Sequence, residues 1–188
     1  MPWRAGADGR RHRSHAFPGS RDPSMLARAI DVEVDAVRSA DGSIRARVRV
    51  EPAHVGHAFP TGDLFRRAEL RVFVEGDEAH ARTIGFARVF SDRMERARDG
   101  SLAIVRRQTG DTRVPPPGFG RSAPIDLVLA APAESPRRDA VVRWSVDHLL
   151  MPTPMAASQG FGDARIRTVV SSGRVVARAS DMEHGGMQ

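Results

Sequence analysis

The chain has 188 residues, 40% of them hydrophobic, with eight Phe, two Trp and no Tyr, so it can bury one largely aliphatic core. It has no cysteine, which excludes a disulfide, a thiolate metal site and a Cys nucleophile within this chain, while leaving the redox compartment open. The formal net charge of +6 comes from arginine alone, without lysine, and is spread in short runs that lack interleaved aromatics, so a solvated basic surface is favoured over a nucleic-acid groove.

Residues 1–25 are rich in Gly, Arg, Ser and Pro without periodicity and are expected to form an extended N-terminal arm. No apolar h-region follows the basic start, so no signal peptide is expected, and no run reaches the ~20 apolar residues of a membrane helix. Asp22-Pro23-Ser24 reads as a turn or helix start, and 25–28 as a short helical turn. Ile30, Val32, Val34 and Ala36 alternate with Asp31, Glu33 and Asp35, and Ile44, Ala46, Val48 and Val50 alternate with Arg45, Arg47 and Arg49. Period two predicts half-buried strands, and Asp41-Gly42 between them predicts a hairpin. Its outer faces, acidic on one strand and basic on the other, are complementary at about 0.2–1 kcal/mol per cross-strand pair. Pro52 ends the second strand.

Leu70, Val72 and Val74 mark a third strand, closed by Gly76-Asp77. Residues 82–90 are β-prone, 92–100 read as a short helix or a loop, and 102–107 as a short strand. Val114-Pro115-Pro116-Pro117-Gly118 is a polyproline-like connector. Ile125, Leu127 and Leu129 predict another strand, 130–138 a loop, and Val141, Trp144 and Val146 a further strand broken at Met151-Pro152-Thr153-Pro154. Residues 156–160 suit one helical turn, and 166–177 a last strand pair. Seven to nine short strands without a long amphipathic helix predict an all-β, antiparallel immunoglobulin-like β-sandwich over 26–179, with a polar tail at 180–188.

The most informative stretch runs from His54 to Arg67 and holds two His, two Arg, one Asp and two Phe in fourteen residues. A shorter echo lies at 14–19. Both contain His-Ala-Phe-Pro, and His15 and His57 each follow another His, His12 and His54, three residues earlier. The chain lacks the dinucleotide fingerprint, the P-loop, His-Glu-x-x-His and Gly-x-Ser-x-Gly, so no enzyme chemistry is indicated. Two readings remain for the loop from its residues. His12 and His54, with the other two His, could converge on zinc, a permissive spacing without the Cys that structural zinc sites usually include. Alternatively the loop is packing: Phe59 tucks under the sandwich, Pro60 fixes φ, Gly62 permits a positive φ, and Asp63 bonds backbone N–H groups or pairs with Arg66 or Arg67.

Gly56-His57-Ala58-Phe59-Pro60-Thr61-Gly62, followed by Arg66-Arg67 and a strand, resembles the Gly-His-x-x-Pro-Thr-Gly…Arg motif of certain multihaem c-type cytochromes, where it lies in a β-sandwich region after the haem-rich part. The start is similar too: Met1-Pro2, a basic stretch, then Ser14-His15-Ala16-Phe17-Pro18-Gly19 resembles the segment that follows a haem-attachment Cys-x-x-Cys-His in that family. His54 departs from the family, which more often has a small residue there, and the attachment motif itself is absent, so no haem is covalently held by this chain.

The resemblance implies the C-terminal portion of such a cytochrome, from a start assigned after the last attachment motif or from a split gene. It implies a non-catalytic module in an exported, periplasmic or extracytoplasmic electron-transfer system, packed against a haem-bearing domain or subunit. His15 and His57 are the candidate haem iron ligands. His15 leads because it lies closest to where the last haem would be, and Asp63 or a backbone carbonyl could hold the other imidazole nitrogen of the ligand. Arg66 and Arg67 are candidate partners of haem propionates. The alternatives are a stand-alone β-sandwich module binding protein or glycan, and a small zinc protein using His12 and His54.

Overall fold

The computed structural model describes residues 3–5, 11–13, 22–61, 65–115, 122–130 and 139–179. Strands β1 (Trp3–Ala5) and β2 (Arg11–Arg13) pair antiparallel within the N-terminal arm, which therefore carries a small two-stranded sheet that its aperiodic sequence does not announce. The tail at 180–188 lies outside the described residues.

The main domain is all-β. Its strands are β3 (Ile30–Arg38), β4 (Ile44–Pro52), β5 (Arg67–Val74), β6 (Arg82–Arg96), β7 (Leu102–Asp111), β8 (Ile125–Leu129), β9 (Ala140–Leu149) and β10 (Arg167–Ala179). They form one continuous sheet in the order β7-β6-β5-β9-β10-β3-β4-β8. The sheet curls so that Ile44, Val48 and Val50 of β4 share a core with Leu70 and Val72 of β5 and Val142 and Val146 of β9. β10 is the hinge of the curl: its length pairs antiparallel with β9, and its last residues pair parallel with β3 at Arg178↔Val37 and Ala179↔Arg38. The remaining pairings are antiparallel.

The β3–β4 hairpin forms in the register that its alternation predicts, with Val32↔Val50, Glu33↔Arg49 and Asp35↔Arg47 opposed. Gly42 takes φ +84° in the turn, and the Asp41 carboxylate accepts hydrogen bonds from the Ser43 N–H (2.9 Å) and hydroxyl (2.7 Å). Arg49 pairs with Glu33 at 3.2 Å, whereas Arg47 turns to Asp126 of β8 at 2.8 Å. Both pairs are solvent-exposed, so water and salt screen them and they add little to stability.

Two segments differ from expectation. Residues 92–96 are strand, because β6 runs on for fifteen residues and pairs with β7 as a two-stranded ribbon beyond the edge of β5. Charged pairs across that ribbon, Arg106–Asp92 at 2.7 Å and Arg107–Glu95 at 2.9 Å, satisfy side chains that read as a polar loop. Residues 167–179 are one strand with an irregularity between Val169 and Ser171, not two strands. Gly173 sits inside this strand because the Trp144 indole lies over it. A Cβ there would come within 2.7 Å of Trp144 Cζ2. Gly173→Ala is expected to cost roughly 1–3 kcal/mol in denaturant unfolding, whereas Gly85→Ala, whose Cβ would meet nothing within 4 Å, is expected to change stability by less than about 1 kcal/mol.

Candidate functional site

The start of β3, the end of β4, the start of β5, the end of β9 and the start of β10 meet at one end of the domain, through the pairs Ile30↔Pro52, Arg67↔Leu149 and Arg167↔Leu149. The described residues of the loop after β4, 53–61 and 65–66, lie at this end. So does the segment 150–166, with helices α2 (Thr153–Ser158) and α3 (Asp163–Ile166), and so does the short helix α1 (Pro23–Leu26), capped by the Asp22 carboxylate.

The loop is tied down at two points. At its entry the Ala53 N–H donates to the Ala29 carbonyl at 3.0 Å and the His54 N–H to the Arg28 carbonyl at 3.1 Å. Further on, Phe59 and Val114 exchange both backbone bonds: Phe59 N–H to Val114 O at 2.9 Å and Val114 N–H to Phe59 O at 2.8 Å. Phe59 and Pro60 are buried, as the packing reading expects, and the Phe59 ring lies 6.2 Å from the ring of buried His148. Between the two ties, Gly56 and His57 are pushed out into solvent, and Val55 packs partly on the core.

His57 Nδ1 lies 3.3 Å from the Ala58 carbonyl oxygen. A carbonyl only accepts, so this contact places the proton on Nδ1. In the neutral ring, Nε2 then carries the lone pair. His54 is exposed at the loop entry. Among the described residues no three or more His, Asp or Glu side chains gather as a metal-binding group. His12 lies in β2 opposite Arg4. His15, Gly62 and Asp63 lie outside the described residues, so the roles expected of them are not located here.

Arg66 and Arg67 are half-buried at the exit of the loop. Arg67 Nε is out of contact with solvent and makes no hydrogen bond. Leaving such a donor unsatisfied costs on the order of 1–3 kcal/mol. Arg67 opens onto a groove of about 520 Å³ lined also by Phe65, Gly85, Ala87, Arg88 and Phe90.

Several residues of this end escape sequence reasoning. Val114 gives no local sign that it brackets Phe59. His148 is detectable only as a polar residue in phase with Val142, Trp144 and Val146 of β9. Arg167 gathers three carboxylates: Asp147 at 2.7 Å and Glu69 at 3.4 Å from distant parts of the chain, and Asp163, four residues before it, at 3.1 Å. Asp147 is nearly buried, so Arg167 neutralises it and pins the helical segment to the sheet. Arg113, just before Val114, grips Asp111 through two nitrogens, at 2.6 Å and 2.8 Å. The hydrogen bond from Arg113 holds the Asp111 carboxyl below its ordinary value of 3.8.

Neither family models nor curated proteins match the chain. Among solved structures, the chain is similar to a penta-heme cytochrome c552 from Thermochromatium tepidum, with 18% identity and a TM-score of 0.56. The likeness covers 86% of this chain and 43% of that one, so it reports a shared fold and spans less than half of the cytochrome.

Arg167→Met is expected to lower stability by roughly 1.5–3 kcal/mol, since it strands the Asp147 carboxylate, and urea titration measures it. A carboxyl held low in the folded state adds stability above its unfolded value and loses it as pH falls through the folded value. The stability gap between the parent and Asp111→Asn should therefore be level above about pH 4 and close in more acid solution. At neutral pH the same variant should speed hydrogen exchange at the Phe59 and Val114 amides.

Proposed function

We propose that this chain is a non-catalytic β-sandwich module of a multihaem electron-transfer system, whose loop end packs against a haem-bearing domain or subunit. The observation that carries the reading is the exposed His57 imidazole, held by its Ala58 carbonyl contact in the tautomer that leaves Nε2 to bind iron. The fold likeness to a penta-heme cytochrome supports it from a separate direction, as does the Gly56-to-Gly62 motif.

The donors present fit a haem that has no thioether link to this chain. Without cysteine the chain offers no thioether bonds, so the haem would be held covalently elsewhere or bound without such bonds. His57 supplies a neutral nitrogen ligand, and Arg67, with a buried unsatisfied Nε, supplies a cation suited to a propionate. His15 enters through its motif as the other axial candidate. Haem, when bound, supplies one-electron transfer. The module's own contribution is to ligate or orient, to exclude water with the exposed Phe65, and to tune the potential through burial and hydrogen bonds. Such a system would work outside the cytoplasm.

Titration of the purified protein with ferric haem tests the proposal. A Soret shift is expected that is abolished in His57→Ala, in His15→Ala or in both. A shift of the same size in each variant rejects ligation by these residues. Stoichiometric zinc uptake lost in His12→Ala or His54→Ala would establish the metal-site reading in its place. A protein that answers neither haem nor zinc would leave a module for a protein or glycan partner.

A further inference from the structure

The two edges of the sheet differ. β8 closes one edge in five residues, directly after Pro124, and a short strand beside a proline offers little backbone to a further strand. β7 closes the other edge with ten residues and no proline. Its first four, Leu102-Ala103-Ile104-Val105, are uncharged and apolar. Beyond Ala87, β6 pairs with β7 alone among the described residues, so 88–96 and 102–111 form a two-stranded ribbon. Two strands alone are marginal in water, and further strands sharing an apolar face stabilise them.

The ribbon has such a face. Met94 stands opposite Ile104, and Leu102 lies two residues before Ile104 on the same side. Met94 is 69% exposed, Ile104 72% and Leu102 63%, so this face is left to water. The two arginines of β7 are already neutralised within the ribbon. Arg106 meets both oxygens of Asp92 at 2.7 Å, and Arg107 meets Glu95 at 2.9 Å. The free backbone groups fall on the apolar side's residues. At the turn of the ribbon the Ala97 N–H donates to the Ser101 carbonyl at 2.8 Å. Bonded pairs alternate with non-bonded ones in an antiparallel ladder, so Ala103, Val105 and Arg107 face β6 through their backbones. Leu102, Ile104 and Arg106 therefore turn their N–H and C=O groups to the open edge.

We infer that β7 pairs antiparallel with β7 of a second copy of this chain, about a two-fold axis at Ile104. In this register Ile104 meets its counterpart and Leu102 meets the other copy's Arg106. All these residues have outward backbone groups, so the pairing supplies about six hydrogen bonds. Met94 and Ile104 of both copies then form one apolar row across four strands. Arg106, already held by Asp92, lays its aliphatic stem beside the other copy's Leu102. A second copy is the occupant because the edge complements itself in side chains, in charge and in free backbone groups at once. Such a contact uses the same patch on both copies and closes at two. It needs no haem and does not involve the loop end.

The chain has no cysteine, so Ile104→Cys introduces a single thiol. Bonded antiparallel pairs hold their Cα atoms about 5.5 Å apart, within the range of a disulfide. Mild oxidation is expected to link Ile104→Cys into dimers. It should link little of Val128→Cys, at a 57% exposed position on the opposite edge strand β8. Sedimentation velocity of the parent chain, taken to about 0.5 mM because strand-edge interfaces are small, is expected to show a monomer–dimer equilibrium. Ile104→Lys sets like charges at the two-fold without touching the core and should weaken dimerisation roughly tenfold or more, while Val128→Lys leaves it unchanged. Dimerisation should also slow amide exchange at Leu102, Ile104 and Arg106, but not at Ala103 and Val105, which β6 already holds. A monomer at every concentration, equal cross-linking of the two cysteine variants, or a dimer indifferent to Ile104→Lys overturns the inference. A monomer that binds phosphatidylglycerol vesicles through Ile104 would overturn it too and assign the face to an anionic lipid surface.

Discussion

The loop end of this domain depends on the two backbone hydrogen bonds between Phe59 and Val114. They join a loop between β4 and β5 to the segment that follows β7, so two distant parts of the chain share one rigid point. Phe59 and Pro60 are buried there, and burial of a large aromatic side chain contributes on the order of 1.5–3 kcal/mol. Between the fixed ends of the stretch from 54 to 59, Val55 packs partly on the core and Gly56 and His57 project outward. The exposure of His57 is thus a consequence of anchoring on either side of it.

A second constraint stabilises the same end from the other side of the sheet. Arg167 stands among Glu69, Asp147 and Asp163, and connects β5, β9, β10 and α3. Burial works against its charge, but the hydrogen bond and charge of Asp147 outweigh that, with Asp163 and Glu69 adding to it. Arginine suits such a place because its planar donors reach several carboxylates at once. The loop and the helical segment are therefore each fastened to the sheet independently, and the groove beside Arg67 is lined by residues of β5 and β6.

Much of the β architecture was legible in the sequence. The alternation over 30–36 and 44–50, with Asp41-Gly42 between, specifies both register and face, because a slip of one residue would turn every valine to solvent. The buried anchors of the loop were also legible, since Phe59-Pro60 joins a large apolar ring to a residue of fixed φ. What escaped was non-local. The continuation of β6 through Asp92 and Glu95 depends on Arg106 and Arg107 standing opposite. β10 runs through Gly173 by pairing with β9, where Trp144 lies over the glycine. The bracket at Val114 and the approach of Asp147 and Glu69 to Arg167 are made by tertiary contacts, and no local spacing encodes them. Of the predicted site residues, the structure brings His54, His57, Arg66 and Arg67 onto one loop at one end. The echo at 14–19 lies outside the described residues.

The central claim is that this end of the sandwich is the face that meets haem. Hydrogen–deuterium exchange of the whole chain, with and without ferric haem, tests it most directly. The account predicts slowed exchange at 53–61, 65–67 and 112–115, with the turns at 39–43 and 75–77 of the opposite end unchanged. Protection centred on those opposite turns, or spread evenly over the sheet, would contradict it.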